Sequence, residues 1–185
     1  MKLGLGLYRH QLDRDHYRFA KQCGCTHVVV HFVDYFRSSS SNKQDDPPMR
    51  TVRGQPRLVY QPQLYQKLLD LRPSPSNALE FCVGTLAEMT EGDVYEATET
   101  YSRQQKLAYV HLRNVRGKVP EYKETFIDEG DVDILRVLKI LAGNGYRGVL
   151  IPDHAPQMTC NAPWHAGMAY ALGYIRAALQ HLGRV

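Results

Sequence analysis

Three residues of the chain have side chains that suit a shared cation: Cys82, His111 and Asp153. A thiolate, an imidazole and a carboxylate together fit a borderline transition metal such as Mn, Fe or Zn rather than Ca or Mg. Groups able to move protons or hold an anion stand close by in the chain. His154 follows Asp153, Arg113 and Asn114 follow His111, and Tyr8-Arg9-His10, His31, Asp34 and Tyr35 come earlier. Taken singly, each has a plain alternative. Cys82 in Leu-Glu-Phe-Cys-Val suits a core thiol, His111 a satisfied strand histidine, and Asp153-His154 a loop or cap after Pro152. What unites them is position, because each falls at the end of a segment that reads as a strand.

Those segments are set by apolar pattern. Residues 3–7 (LGLGL) read as a short buried strand, and Asp13 then caps an amphipathic helix with Tyr17, Phe19 and Ala20 toward the sheet and Gly24 past its end. Residues 27–33 (HVVVHFV) are the strongest strand signal. Strands follow at 78–83, 107–115 and 148–151. Helices are expected at 58–71, with Leu64, Leu68 and Leu71 on one face, at 92–103, at 131–142, with Ile134, Leu135, Leu138 and Leu141 as its stripe, and at 166–182. Strands alternating with helices predict an α/β fold with a parallel sheet and right-handed crossovers. In such folds the working residues lie at the carboxyl ends of the strands. The reading is one domain over 1–185, with an irregular linker at about 37–57 that contains Ser38 to Ser41 and Asp45-Asp46-Pro47-Pro48.

Composition narrows the function classes. The chain has 185 residues, 43% apolar and 23% charged, close to an ordinary globular domain. Lys plus Arg is 23 against 19 Asp plus Glu, a net charge of +4 that is scattered and gives no footprint for nucleic acid. No segment approaches the roughly 18 apolar residues of a membrane span. The start, MKLGLGLYRH, does not read as a signal peptide. Cys23, Cys25, Cys82 and Cys160 form no CxxC pair and are expected to be reduced cytoplasmic thiols, mostly small core residues.

Several longer motifs go further. GLGLYRH (4–10), HVVVHFVDYF (27–36), the run from Asp45 to Leu71, LEFCVGTLAEM (79–89), YVHLRNVRG (109–117), ETFIDEGDVD (124–133), IPDHAPQM (151–158) and APWHAGMAYALGYIRA (162–177) resemble the mannonate dehydratase family, in family order. The resemblance implies a TIM-barrel-like fold of the xylose-isomerase-like group. It implies a carbon–oxygen lyase that converts the sugar acid D-mannonate to 2-keto-3-deoxy-D-gluconate and water in hexuronate catabolism, with Mn2+ or Fe2+. By the same resemblance Cys82, His111 and Asp153 match metal ligands, and His154 matches a histidine in proton transfer. Arg9, His10, Arg113 and Asn114 match rim positions that hold the sugar acid, with His31 and Trp164 as further candidates. Where the family commonly presents a tyrosine before its last helix, this chain has Trp164-His165, which makes His165 the candidate second acid/base.

The family barrel has eight strands and this chain offers five. The sequence passes from the end of the second family strand to the tail of the fifth, and Lys43-Gln44 stand where the family has a fourth, histidine ligand. The expected architecture is therefore an incomplete barrel of about five parallel strands with outer helices, in the order six, seven, eight, one, two. Its 27–33 edge strand, apolar on both faces, predicts a homo-oligomer. The alternative functions are a catalytically impaired deletion remnant that binds metal or self-associates, and a related TIM-barrel sugar isomerase or epimerase.

Overall fold

Leu3, Leu5 and Leu7 alternate with Gly4, Gly6 and Tyr8, giving a strand with one apolar and one open face. In the computed structural model, which describes residues 1–32, 51–52, 55–56 and 59–184, this is β1 (Lys2–Tyr8), followed by a 3-10 turn at Arg9–Gln11. α1 (Arg14–Gln22) is capped by Asp13, which accepts hydrogen bonds from the Asp15 and His16 backbone N–H groups. β2 (His27–His31) comes next. Two short strands, β3 (Thr51–Val52) and β4 (Gln55–Pro56), pair antiparallel. They fall within the linker expected at 37–57; its other residues, Lys43 and Gln44 among them, and Asp34 and Tyr35 before it, lie outside the described residues. The remaining elements are α2 (Leu64–Leu71), β5 (Leu79–Cys82), α3 (Val83–Glu88), α4 (Val94–Arg103), β6 (Leu107–His111), β7 (Asn114–Lys118), β8 (Glu121–Thr125), α5 (Ile134–Gly143), β9 (Val149–Ile151) and α6 (Pro163–His181).

The main sheet is parallel and runs β2-β1-β9-β6-β5, the order expected for five consecutive strands of a barrel. Leu3, Leu5, Leu7, Phe81, Val110 and Leu150 enter one apolar core with Val137, Leu138 and Leu141 of α5 and Leu172, Ile175 and Leu179 of α6. Each such side chain stabilises the fold by about 1.5–3 kcal/mol through burial. The period of two then turns Glu80, Cys82, Tyr109 and His111 to the opposite face. Register aligns Cys82 with His111, His111 with Ile151, and Tyr8 with His31 across neighbouring strands.

The structure differs from the sequence reading in definite places. The helix expected from residue 58 begins at Leu64, because Pro62 disfavours helix at Gln61 and its carbonyl accepts from the Tyr101 hydroxyl at 2.8 Å. The strand expected over 107–115 stops at His111. Leu112 N–H still donates to Ile151 O at 2.9 Å, but Arg113 then turns inward and Asn114 opens a hairpin, β7–β8, that carried no turn signature of the Asn-Gly kind. α3 leaves β5 with no connecting loop, because Cys82 itself is the cap. Tyr17 is exposed rather than turned to the sheet. All four cysteines are free thiols, and Cys160 is exposed rather than in the core.

Asn114 ties the hairpin to the loop before α5. Its Nδ2 donates to the Ile127 and Val132 carbonyls at 2.9 and 2.8 Å, while its Oδ1 accepts from Val115 and Val132 N–H at 3.0 and 3.1 Å. Every donor and acceptor of the amide is thereby used. Gly130 must lack a side chain because a Cβ there would run into this amide. Asn114→Ala leaves buried backbone groups unpaired and is expected to cost about 1–3 kcal/mol. Urea unfolding of the two proteins checks it, and an unchanged midpoint would overturn the assignment.

Candidate functional site

The sheet register sets Cys82 and His111 side by side, and Asp153 follows two residues beyond the end of β9. One ligand atom from each lies within 4.8 Å of the others. The Cys82 thiol is 3.8 Å from Asp153 Oδ2 and accepts from the Thr85 N–H at 3.4 Å, which fixes the sulfur at the start of α3. His111 Nδ1 stands 3.5 Å from the same Asp153 oxygen. Burial would lower the His111 pKa, but hydrogen bonds and charge from Asp153 and Cys82 push it up to about 10. Burial would raise Asp153, yet His111, His154 and Arg113 hold it well below the usual carboxylate range. These donors suit a divalent transition ion, whose charge would meet the same carboxylate and take the place of the proton on His111.

A second, ionic layer stands behind them. Arg113 is only 5% exposed. Its guanidinium donates to Glu88 Oε1 at 2.6 Å, to Glu124 Oε1 at 2.7 Å and to the Thr85 hydroxyl at 3.3 Å, and its Nε lies 3.6 Å from Asp153 Oδ2. Burial would lower its pKa, but Cys82, Glu88, Asp153 and Glu124 raise it, so the cation is kept. Gly84 makes room, since a Cβ there would collide with the Arg113 side chain. Glu124 also meets His154 Nδ1 at 2.8 Å, and His154 Nε2 is 3.3 Å from Asp153 Oδ1. Burial would raise Glu124, and its bonds and charge contacts with His154 and Arg113 lower it instead.

Two cavities open on this cluster. The smaller, about 290 Å³, is lined by Glu80, Cys82, His111, Arg113 and Tyr122; the larger, about 390 Å³, by His10, Glu124, Pro156 and Trp164 among others. Tyr8, His31, Asp153 and His154 belong to both. Burial, and then the charge of His111, lowers the His31 pKa, which favours a neutral ring. Gly6 keeps this wall thin, as a Cβ would come within 3.3 Å of His31 Nε2 and 3.1 Å of Ile151.

Of the residues singled out in the sequence, Cys82, His111, Asp153, His154, His31 and Arg113 are brought together, and His10 and Trp164 reach the larger cavity. Arg9, Asn114 and His165 are not. Arg9 is exposed on the 3-10 turn. Asn114 is consumed by the 127–132 loop. His165 packs on α1, its ring 5.7 Å from His16 and 4.9 Å from Phe19. Tyr8, named with the first strand end, lines both cavities, whereas the sequence reading missed Glu80, Glu88 and Glu124. Glu124 sits in the ETFIDEGDVD motif, which was legible, but its reach depends on the hairpin.

Comparison with known proteins then decides the family. The family model described as D-mannonate dehydratase (UxuA) matches residues 41–181. The chain belongs to the D-mannonate dehydratase family. Mannonate dehydratase of Streptococcus equi subsp. zooepidemicus is 34% identical over 112 residues, covering 60% of this chain and 30% of the relative. That of Lactococcus lactis subsp. cremoris is 31% identical over 115 residues, covering 60% and 32%. The chain thus spans about a third of the length of these curated relatives. The crystal structure of mannonate dehydratase from Streptococcus suis serotype2 matches with a TM-score of 0.65 and 25% identity, over 90% of this chain and 47% of that one. A xylose isomerase domain protein from Planctomyces limnophilus matches at TM-score 0.58 and 18% identity, over 91% and 64%, a likeness of fold alone. This family member is an incomplete TIM-barrel-like sheet with outer helices. No helix among the described residues is long and apolar enough to cross a membrane.

The Glu124 contacts make a pH prediction. A carboxylate whose folded pKa is depressed contributes stability that is complete above its ordinary value, 4.5 for Glu124, and is lost as pH falls through the folded value. Glu124→Gln is expected to destabilise the protein at neutral pH and to flatten the acid limb of its stability profile. Urea unfolding across that range checks this, and an identical acid limb in both proteins would show that the Glu124 pairing is not made.

Proposed function

We propose that the chain removes water from D-mannonate to give 2-keto-3-deoxy-D-gluconate, with Mn2+ or Fe2+ held by Cys82, His111 and Asp153. The observation that carries this reading is the meeting of those three donor atoms within 4.8 Å in a chain of the D-mannonate dehydratase family. When bound, the ion would act as a Lewis acid for the sugar acid and stabilise enolate charge after loss of the C2 proton. Among the residues, His154 is the one assigned proton transfer in this reading, supported by its contacts with Glu124 and Asp153. Glu124 engages Nδ1 and orients the ring, so Nε2, on the Asp153 side, is the atom assigned the C2 proton; the C3–O bond then breaks, the C3 hydroxyl leaves with a proton as water, and the resulting enol becomes the 2-keto product. Tyr8, His10, His31 and Trp164 offer hydroxyl, imidazole and indole contacts to the substrate along the larger cavity. Arg113 acts through Glu124 and Asp153, because its two terminal nitrogens already donate to Glu124, Glu88 and Thr85 and its Nε faces Asp153 at 3.6 Å.

Purified protein given Mn2+ and D-mannonate is expected to release 2-keto-3-deoxy-D-gluconate, detected by chromatography. Cys82→Ser replaces a thiolate by a poor neutral ligand and is expected to lower both Mn2+ content and product. Metal uptake without product, under conditions where the Streptococcus suis enzyme turns over, would favour a metal-binding remnant and defeat the dehydratase reading.

We also propose that copies of the chain associate through the β2 edge. Among the described residues β2 pairs only with β1, and it carries Val28, with Phe32 just beyond it 76% exposed. Light scattering is expected to give a dimer or larger species. A monodisperse monomer would exclude it.

A further inference from the structure

His111 has two ring nitrogens with different surroundings. Nδ1 stands 3.5 Å from Asp153 Oδ2, which turns it toward the cluster of Cys82, His111 and Asp153. Nε2 is buried and makes no hydrogen bond among the described residues, and Glu80 Oε1 stands 3.4 Å from it. A neutral imidazole that gives the Nδ1 lone pair to a cation must carry its proton on Nε2, and a buried N–H needs an acceptor. The period of two along β5 puts Glu80 on the same face as Cys82, with Leu79 and Phe81 in the core on the other. Its side chain is 53% exposed, so it has the freedom to close on the ring. Glu80 was not singled out by residue type or spacing, since a half-exposed glutamate within a strand reads as surface.

We propose that Glu80 is a positioning residue for the cation site: its carboxylate accepts the Nε2–H of His111 and so holds the ring in the tautomer that presents Nδ1 to the metal. It is not a ligand in this arrangement, because it addresses the nitrogen that the cation does not use. Carboxylate–histidine–metal relays of this kind commonly set both ring orientation and ligand basicity. The inference rests on the reading of Cys82, His111 and Asp153 as a cation site.

The test uses Co2+ as a spectroscopic probe on the full chain, with wild type, Glu80→Leu and Glu80→Gln compared by visible absorption titration. Loss of the acceptor in Glu80→Leu is expected to weaken Co2+ binding about 10–100-fold, the usual effect of losing such a partner. Glu80→Gln keeps a side-chain oxygen acceptor and is expected to bind within about 3-fold of wild type. In parallel, nitrogen–proton correlation spectra of the wild-type protein loaded with diamagnetic Zn2+ are expected to place the His111 proton on Nε2. Equal Co2+ affinity in Glu80→Leu and wild type overturns the proposal. So does a loss in Glu80→Gln as large as in Glu80→Leu, which would mark Glu80 as a ligand or a bare charge. A proton on Nδ1 in the loaded wild type overturns it without any variant. Failure of wild type to bind either ion refutes the cation-site reading itself, a separate result that takes the proposal with it.

Discussion

Arg113 puts a permanent positive charge where water scarcely reaches, and the surrounding structure is arranged to meet it. An unpaired guanidinium at such depth would cost several kcal/mol, so its partners are a condition of folding as much as of chemistry. Glu88 comes from the end of α3, Glu124 from β8 and Asp153 from beyond β9. Three separate elements are therefore fixed relative to one another by one side chain. Gly84 gives up its side chain to let Arg113 through. The site inherits its geometry from this arrangement: Asp153 is held ionised beside Cys82 and His111, and Glu124 is held in reach of His154.

The sheet explains why such a polar cluster can sit beside a full core. β5 and β6 give their apolar alternates to the helices and their polar alternates to the other face. In a closed barrel that second face would be interior; here it carries Glu80, Cys82, Tyr109 and His111 in neighbouring register. The parallel order means every strand delivers its carboxyl end to the same rim, so residues 71 positions apart, Cys82 and Asp153, come within contact. Five consecutive strands hold this neighbourhood by themselves, because pairing in a barrel is between neighbours only.

Much of this was legible. The buried run 3–7, the β-branched run 27–33 and the cap at Asp13 are local signals, and with the apolar stripes they placed most strands and helices to within a few residues, while the strand order followed from the family resemblance. Cys82, His111, Asp153 and His154 stood out because residue type and strand-end position agreed. What failed were assignments that needed three-dimensional knowledge. Asn114 and His165 are polar residues close in sequence to groups that line the cluster and its cavities, and sequence does not show that one satisfies backbone groups of the 127–132 loop while the other turns to α1. The hairpin was unreadable because β7 and β8 are short, charged and joined without a turn signature.

The amino-acid sequence by itself determined the α/β alternation, the parallel sheet and the family, since these depend on periodicity and on motifs that lie contiguous in the chain. Tertiary structure alone decided which glutamates stand beside Cys82, His111 and Asp153. Glu80, Glu88 and Glu124 are chemically the same as the surface glutamates elsewhere in the chain. Only the fold, by burying Arg113 and His111 beside them, gives these carboxylates partners, because an ion pair or hydrogen bond is a property of distance and burial and neither is written in a single residue's identity.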